Sequence, residues 1–365
     1  MKILFILSNP SIGGTETFIL SIIPELKELN VEVHILNIWK DAKLKEKAYQ
    51  AKTPYFECSA DCRRITLSNI RSMLNLINKN NYDVLIGFGI RVNLTLKLLN
   101  IITRKPLVIG LRGLDLWRKW YHCWPDRLTD FLVDCYVPNS DAVASIRKSR
   151  EKTKDAKIVV IKNGIDVRYF VKQKSANRNK YQLPEDKILI LTIANFRHQK
   201  GYDFLIDTID RYKKSFTNCL FVWVGGGELE EYYKEKIKCL QLDGLIKMFK
   251  PVESVRELLS ISDIFVLPSK EEGMPRCLLE AMSTSLPCIA TSVGGIPEVI
   301  QENSVGRLVE YGNSERLYNE LIELISSERL RMQMGQMARQ KVESEFDIKK
   351  IAKDYLTLFS KLKKR

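Results

Sequence analysis

Short apolar runs of strand length recur along this chain, each followed by a stretch with helical spacing. "KILFILS" leads into "TFILSIIPELKELN" and then "VEVHILNI", and "YDVLIGF", "PLVIGL", "CYVPNS" and "KIVVIKN" follow with helix-like segments between them. Strand–helix alternation of this kind specifies a parallel sheet covered on both faces. The pattern breaks at 167–186, "VRYFVKQKSANRNKYQLPED", a polar, lysine-rich stretch that reads as a linker. A second series starts at "KILILTIANF" and runs through "CLFVWVGGG", "DIFVLPS", "PCIATS" and "VGRLVE". The expected fold is α/β: two Rossmann-like, doubly wound parallel-sheet domains, 1–166 and 187–346, facing across a cleft. Ligands are then expected at the carboxyl ends of the strands. The closing helix "IKKIAKDYLTLFSKLKK" follows a kink at "ESEFD" and has no domain assigned by its pattern alone.

Composition supports this reading. A chain of 365 residues exceeds what one core usually supports. With 45% hydrophobic and 28% charged residues it is a globular chain, not a disordered one. No apolar run approaches the roughly 18–20 residues that span a bilayer, and the opening "MKILFILSNP", short for a signal peptide, is expected to be a buried first strand. The 8 cysteines form no C-x-x-C pair, and "CSADC" has no histidine near it. Reduced thiols in a cytoplasmic protein are expected, with neither a metal site nor a disulfide. The net charge of +14 calls for an anionic partner: nucleic acid, an anionic membrane surface or a phosphorylated substrate.

Several strand ends carry candidate sites. In "SNPSIGGTETF", Gly13 and Gly14 allow a tight turn, Thr15 can cap the helix, and the helix N-terminus offers N–H groups to an anion. The dinucleotide fingerprint G-x-G-x-x-G is absent there. "ANFRHQKG" sets Lys200 at a helix start, where it is either a phosphate ligand or a surface lysine. "WVGGGELE" gives Gly225, Gly226 and Gly227, against which a flat nucleobase can lie. In "DIFVLPSKEEGMPRCLLEAM", Glu272 falls in the loop beyond a buried strand, Pro275 suits the first helical turn, and Glu280 lies further down that helix. The pair is either a solvated helix face or the two ends of a site. In a site, one carboxylate accepts from hydroxyls, the amides of Gly273, Met274, Arg276 and Cys277 hold a central anion, and Glu280 accepts from a vicinal diol such as a ribose. The helix terminus contributes ~0.3–2 kcal/mol toward the anion, and each charge-assisted bond roughly 1.5–3 kcal/mol. A glycosidase dyad needs carboxyls about 5–9.5 Å apart. Five helical steps of about 7.5 Å plus a loop set these two further apart than that. "TSVGGIPEVI" adds another glycine turn toward the same cleft.

"PSKEEGMPRCLLEAMSTSLPCIATSVGGIPEVI" resembles the signature of glycosyltransferase family 4, the group 1 glycosyl transferases, which are retaining enzymes of the GT-B fold. Seven residues separate the family's two glutamates, as they separate Glu272 and Glu280. The likeness extends to "GGTE", "VPNS", "IKNGID", "QKG", "VGGGE" and "FDIKKIAKDY", and so covers nearly the whole chain. The resemblance implies a nucleotide-sugar donor, UDP- or GDP-linked, held by the second domain. Glu272 would hold sugar hydroxyls and Glu280 the ribose. Lys200, with the backbone at Gly14 and across Met274, Pro275, Arg276 and Cys277, would neutralise the diphosphate. The final helix, 347–365, would return to the first domain. Two positions depart from the family pattern. Asn195 stands where an arginine is common, with Arg197 nearby as a substitute, and Arg112 stands where a histidine is common. Arg112 would either restore positive charge from the opposite wall or contact the acceptor.

The implied reaction moves a glycosyl group from a nucleoside diphosphate to an acceptor hydroxyl with retention. Glu272, Lys200 and Arg112 are expected to act in it, without a metal, since no D-x-D triplet occurs. The acceptor, lipid-linked or a growing bacterial saccharide, is expected in the first domain. There "LRGLDLWRKWYHCWPDR" sets Trp117, Trp120 and Trp124 beside Arg118 and Lys119. Aromatic rings among cations suit a membrane interface or a lipid diphosphate, and equally a packed loop lining the cleft. Peripheral attachment to the inner face of the cell membrane follows from this cluster, the basic tail and the charge. A soluble-acceptor sugar synthase and a non-catalytic sugar- or nucleotide-binding relative are the alternatives. Specific nucleic-acid binding would leave the glycine turns unexplained.

Overall fold

A computed structural model describes residues 1–8, 13–58, 65–252 and 254–364. Residues 9–12, where part of the glycine turn was expected, Cys62 and the terminal Arg365 lie outside that set. The chain divides into two units, Met1–Gly164 with Ile348–Arg365, and Ile165–Asp347.

The first unit carries strands β1 (Lys2–Leu7), β2 (Glu32–Asn37), β3 (Tyr55–Glu57), β4 (Val84–Phe88), β5 (Leu107–Leu111) and β6 (Cys135–Pro138). Its helices are α1 (Gly14–Glu28), α2 (Ala42–Gln50), α3 (Leu67–Asn80), α4 (Ile90–Thr103), α5 (Trp120–Leu128) and α6 (Asp141–Glu151). The second unit carries β7 (Ile188–Ile193), β8 (Cys219–Val224), β9 (Ile246–Phe249), β10 (Ile264–Leu267), β11 (Cys288–Thr291) and β12 (Arg307–Val309). Around them stand α7 (Tyr202–Arg211), α8 (Glu230–Cys239), α9 (Arg256–Ile261), α10 (Arg276–Ser283), α11 (Ile296–Val299), α12 (Ser314–Ser326) and α13 (Glu328–Glu345). The closing helix is α14 (Ile348–Lys363).

Both sheets are parallel, ordered β3-β2-β1-β4-β5-β6 and β12-β11-β10-β7-β8-β9. Each reverses winding direction once, between β1 and β4 and between β7 and β10. Alternate side chains of one strand feed opposite cores, which is why the strand segments are apolar throughout. Ile3, Phe5 and Leu7 pack with α1 and α14 residues, while Leu4 and Ile6 join Met73, Val92 and Leu96 on the other face. In β7, Leu189 and Leu191 enter one core and Ile190 the other.

Helix α14 buries Ile348, Ile351, Ala352, Tyr355, Leu358, Phe359 and Leu362 in the core of the first unit. That spacing is one helical stripe. At Gly164 a Cβ would lie 2.8 Å from Ile351 Cγ1 and 3.0 Å from Ile348 Cα, so the glycine lets the chain pass tightly against α14.

The polar stretch 167–186, expected as a linker, lies inside the second unit. Val167, Phe170 and Leu183 are buried in its core. Arg178 donates to the carbonyls of Ile261, Pro184, Glu185 and Lys187 and pairs with Asp263 at 2.9 Å. Lysines at its surface hide these anchors in the sequence.

Candidate functional site

In the second unit, the loops leaving β7 and β10 emerge side by side at the point where strand order reverses, the usual ligand position in such sheets. Gly201 has φ +71°, and a Cβ there would lie 1.9 Å from Pro268 O, so only glycine lets the two loops touch. The Lys270 N–H donates to Gln199 O at 2.8 Å and ties them together.

This contact sets Lys200 Nζ 2.7 Å from Glu272 Oε1. Ser269 Oγ donates to the same oxygen at 2.8 Å. Burial works against the lysine's charge, but the Glu272 carboxylate outweighs it and holds the Lys200 pKa above the ordinary value. Burial, reinforced by Glu272, pushes the Cys277 thiol far up, so it stays protonated. Gly295 N reaches Glu272 O at 3.4 Å, joining the glycine turn before α11 to the same loop.

No side chain caps α10. Pro275, expected in the first turn, is its N-cap with extended backbone. The N–H groups of Arg276, Cys277 and Leu278, the first residues of the helix, therefore have no intrahelical carbonyl to bond. Arg276 stands 3.7 Å from Glu280 one turn on, and both are buried. Burial raises the Glu280 pKa and Arg276 opposes the rise. Gly273 and Met274 are buried just before the helix. Asn195 and Arg197 are exposed on the β7 loop, and the charge of Arg197 is felt at Lys200.

The other glycines have packing reasons. A Cβ on Gly225 would lie 2.0 Å from Ala194 O, and one on Gly226 would lie 3.1 Å from Pro251 Cγ. Close approach of the β7 and β8 ends accounts for Gly225 without a nucleobase.

In the first unit, three expectations change. Arg112 is not a free cation: it donates to Asn163 Oδ1 at 2.6 Å and Tyr355 Oη at 2.7 Å, and lies 4.0 Å over the Phe18 ring. Burial lowers its pKa, with Tyr355 opposing. It knots the end of β5 to "IKNGID" and to α14. Asn163 and Tyr355 carry no chemical signal of their own in the sequence, although both lie in stretches that carry the family resemblance. At the turn bearing Gly14, the helix α1 is capped at Gly13, not by Thr15, and Gly13 N donates to Glu16 Oε2 at 2.9 Å. The buried Glu16 carboxylate thus takes the Gly13 N–H, while Gly14, the first residue of the helix, is exposed. Arg118, expected to face acceptor or membrane, is buried against Glu151 and Asp126 at 2.5 Å each. Its neighbours Trp117, Lys119, Trp120 and Trp124 are exposed.

Two family models match: "Glycosyltransferase Family 4" over residues 12–169 and "Glycosyl transferases group 1" over 173–341. The chain belongs to glycosyltransferase family 4. It is 32% identical over 237 residues to N-acetyl-α-D-glucosaminyl L-malate synthase of Bacillus anthracis, covering 62% of this chain and 61% of that one. It is 24% identical to the UDP-Gal:α-D-GlcNAc-diphosphoundecaprenol α-1,3-galactosyltransferase of Escherichia coli, over 79% of each. The match to the first of these relatives thus spans about three fifths of its length. The solved structure of Anabaena HepE with UDP and glucose superposes with a TM-score of 0.88 at 19% identity, over 99% of this chain and 100% of that chain. At that identity the likeness establishes the fold, GT-B, and the two sheets have the same strand order.

Proposed function

We propose that this family 4 protein transfers a sugar from a nucleoside-diphosphate donor to an acceptor hydroxyl, with retention and without a metal. The observation that carries the reading is the Lys200–Glu272 pair beside the uncapped start of α10, at the strand-order reversal. A diphosphate seated there meets one fixed ammonium and the amides of Arg276 and Cys277. As the donor bond breaks, charge grows on the leaving phosphate, and those fixed positive groups stabilise it. Ser269 and Lys200 hold Glu272 Oε1 in place, which leaves Oε2 to accept from a sugar hydroxyl. Glu280, buried beside Arg276, accepts from the ribose diol, and Arg197 stands in for the family arginine replaced by Asn195. UDP and GDP are the candidate bases; the UDP-bound relative of the same fold favours UDP.

For the acceptor, a lipid-linked saccharide in bacterial glycan synthesis is the first reading, supported by the likeness to the diphosphoundecaprenol-dependent galactosyltransferase. Such an acceptor brings the protein to the inner face of the cell membrane, and the exposed tryptophans of the first unit support that attachment. A soluble acceptor is the second reading, favoured by the 32% identity to a malate-dependent synthase.

A thermal-shift panel of UDP, GDP, ADP and their sugars tests the donor. One diphosphate series is expected to raise the melting temperature, and Glu272→Ala is expected to abolish transfer while the protein stays folded. Product stereochemistry by NMR and turnover after chelation test retention and metal independence. A folded Glu272→Ala variant with full transfer would remove Glu272 from the mechanism.

A further inference from the structure

Among the described residues, ten of the eighteen large apolar side chains left exposed fall between Leu98 and Phe131. Singly scattered exposed apolar residues are ordinary; a concentration of this size marks an interaction surface. It is built on three neighbouring elements of the first unit. Helix α4 contributes Leu98, Ile101 and Ile102, the turn at Asp130–Leu132 contributes Phe131, and α5 with its approach contributes Trp117, Trp120 and Trp124.

The inner side of this surface is locked. Lys97 of α4 has no exposed surface and pairs with Asp126 of α5 at 2.5 Å. Asp126 also receives Arg118, and Glu151 of α6 joins Arg118 and Arg147. Asn100 Nδ2 donates to Leu132 O at 3.1 Å, fastening the turn to α4. Arg150 Nη1 reaches the carbonyls of Leu116 and Arg118, holding the tryptophan-bearing approach. The acid of α5, Asp126, is thus turned inward and paired, while its tryptophans stand outward. That inversion has no use in an element that only covers a core.

Charge identifies the occupant. Lys119, Arg127, Arg150 and Arg104 are exposed among these apolar residues. A cleft of about 380 Å³ between α5 and α6 is lined by Trp120, Trp124, Cys123, Arg118, Arg127 and Arg150. Indole rings beside arginine suit the headgroup level of a bilayer, and a phosphate headgroup complements the two exposed arginines of the cleft.

We propose that α4, α5 and the turn at Asp130–Leu132 form a preformed platform that seats this protein on an anionic bilayer. A lipid phosphate enters the cleft beside Arg127 and Arg150. This deepens the attachment part of the proposed function and is independent of the transfer chemistry. The full-length protein is mixed with vesicles of phosphatidylcholine alone or containing phosphatidylglycerol, and binding is read by co-sedimentation and by tryptophan emission. Binding is expected only with phosphatidylglycerol, with a blue shift, and weakened about tenfold or more by Trp120→Ala with Trp124→Ala. Arg127→Glu is expected to weaken it without removing a tryptophan. Nucleotide-induced melting shifts, read on the same samples, are expected to be unchanged, so failure here and failure of the donor reading are separable. Equal binding to neutral vesicles, binding indifferent to these variants, or a lipid-free dimer that the tryptophan variants dissolve would each overturn the proposal.

Discussion

At the residue scale, the Lys200–Glu272 contact serves two purposes. It orients Glu272, and the carboxylate more than offsets the burial that works against the lysine's charge. Removing Lys200 as Lys200→Ala is expected to lower kcat by about 10²–10³, the usual cost of one transition-state donor, measured as steady-state transfer. The raised lysine pKa carries a sign. Its stabilising contribution is complete below the pKa of an unfolded lysine and is lost as pH climbs through the higher folded value. Melting temperature followed into alkaline pH is therefore expected to fall less steeply for Lys200→Met than for the native chain. The converse case is Asp126. Burial raises its pKa, but Lys97, Arg147 and Arg118 more than offset that, and the net value is lowered. The stability it confers is present above the unfolded aspartate pKa and fades as pH drops through the folded one.

At the scale of elements, α5 depends on that buried acid. Asp126→Asn leaves Lys97 buried without a carboxylate and is expected to cost about 3–5 kcal/mol in chemical denaturation. Hydrogen exchange is expected to rise first in residues 120–128. In the second unit, Gly201→Ala forces the β7 and β10 loops apart, because the added carbon meets Pro268 O. The expected result is a lost nucleotide shift with a folded spectrum. These elements also show what the sequence discloses. Ten of the twelve strands, the reversal loops and the Glu272–Glu280 motif are readable because periodicity and glycine placement are local signals; the short β3 and β9 are not, and the apolar "KIVVIKN" forms no strand but a single bridge from Ile158 to Tyr136. The role of Arg112 is not readable either, since its partners Asn163 and Tyr355 lie 51 and 243 residues away. Arg118 and Lys119 are adjacent in sequence, yet one is buried against Glu151 and the other exposed. Only the packing of α5 on α6, which brings Asp126 and Glu151 to Arg118, separates them. The segment 167–186 misled for a related reason: its anchors, Val167, Phe170 and Arg178, are spaced among lysines and form no period.

At the scale of the whole molecule, each unit repeats one plan: six parallel strands, one reversal, two cores. Among the described residues, the reversal of the second unit carries the paired lysine and carboxylate, while at that of the first the Glu16 carboxylate takes the Gly13 N–H. The functional account therefore rests on the second. The most direct test is calorimetric titration of UDP and GDP, alongside the matching nucleosides, into the native protein and Lys200→Ala. The account predicts that the preferred diphosphate loses about tenfold or more in affinity on losing Lys200, while nucleoside binding is unaltered. Equal diphosphate affinity in the two proteins would contradict it.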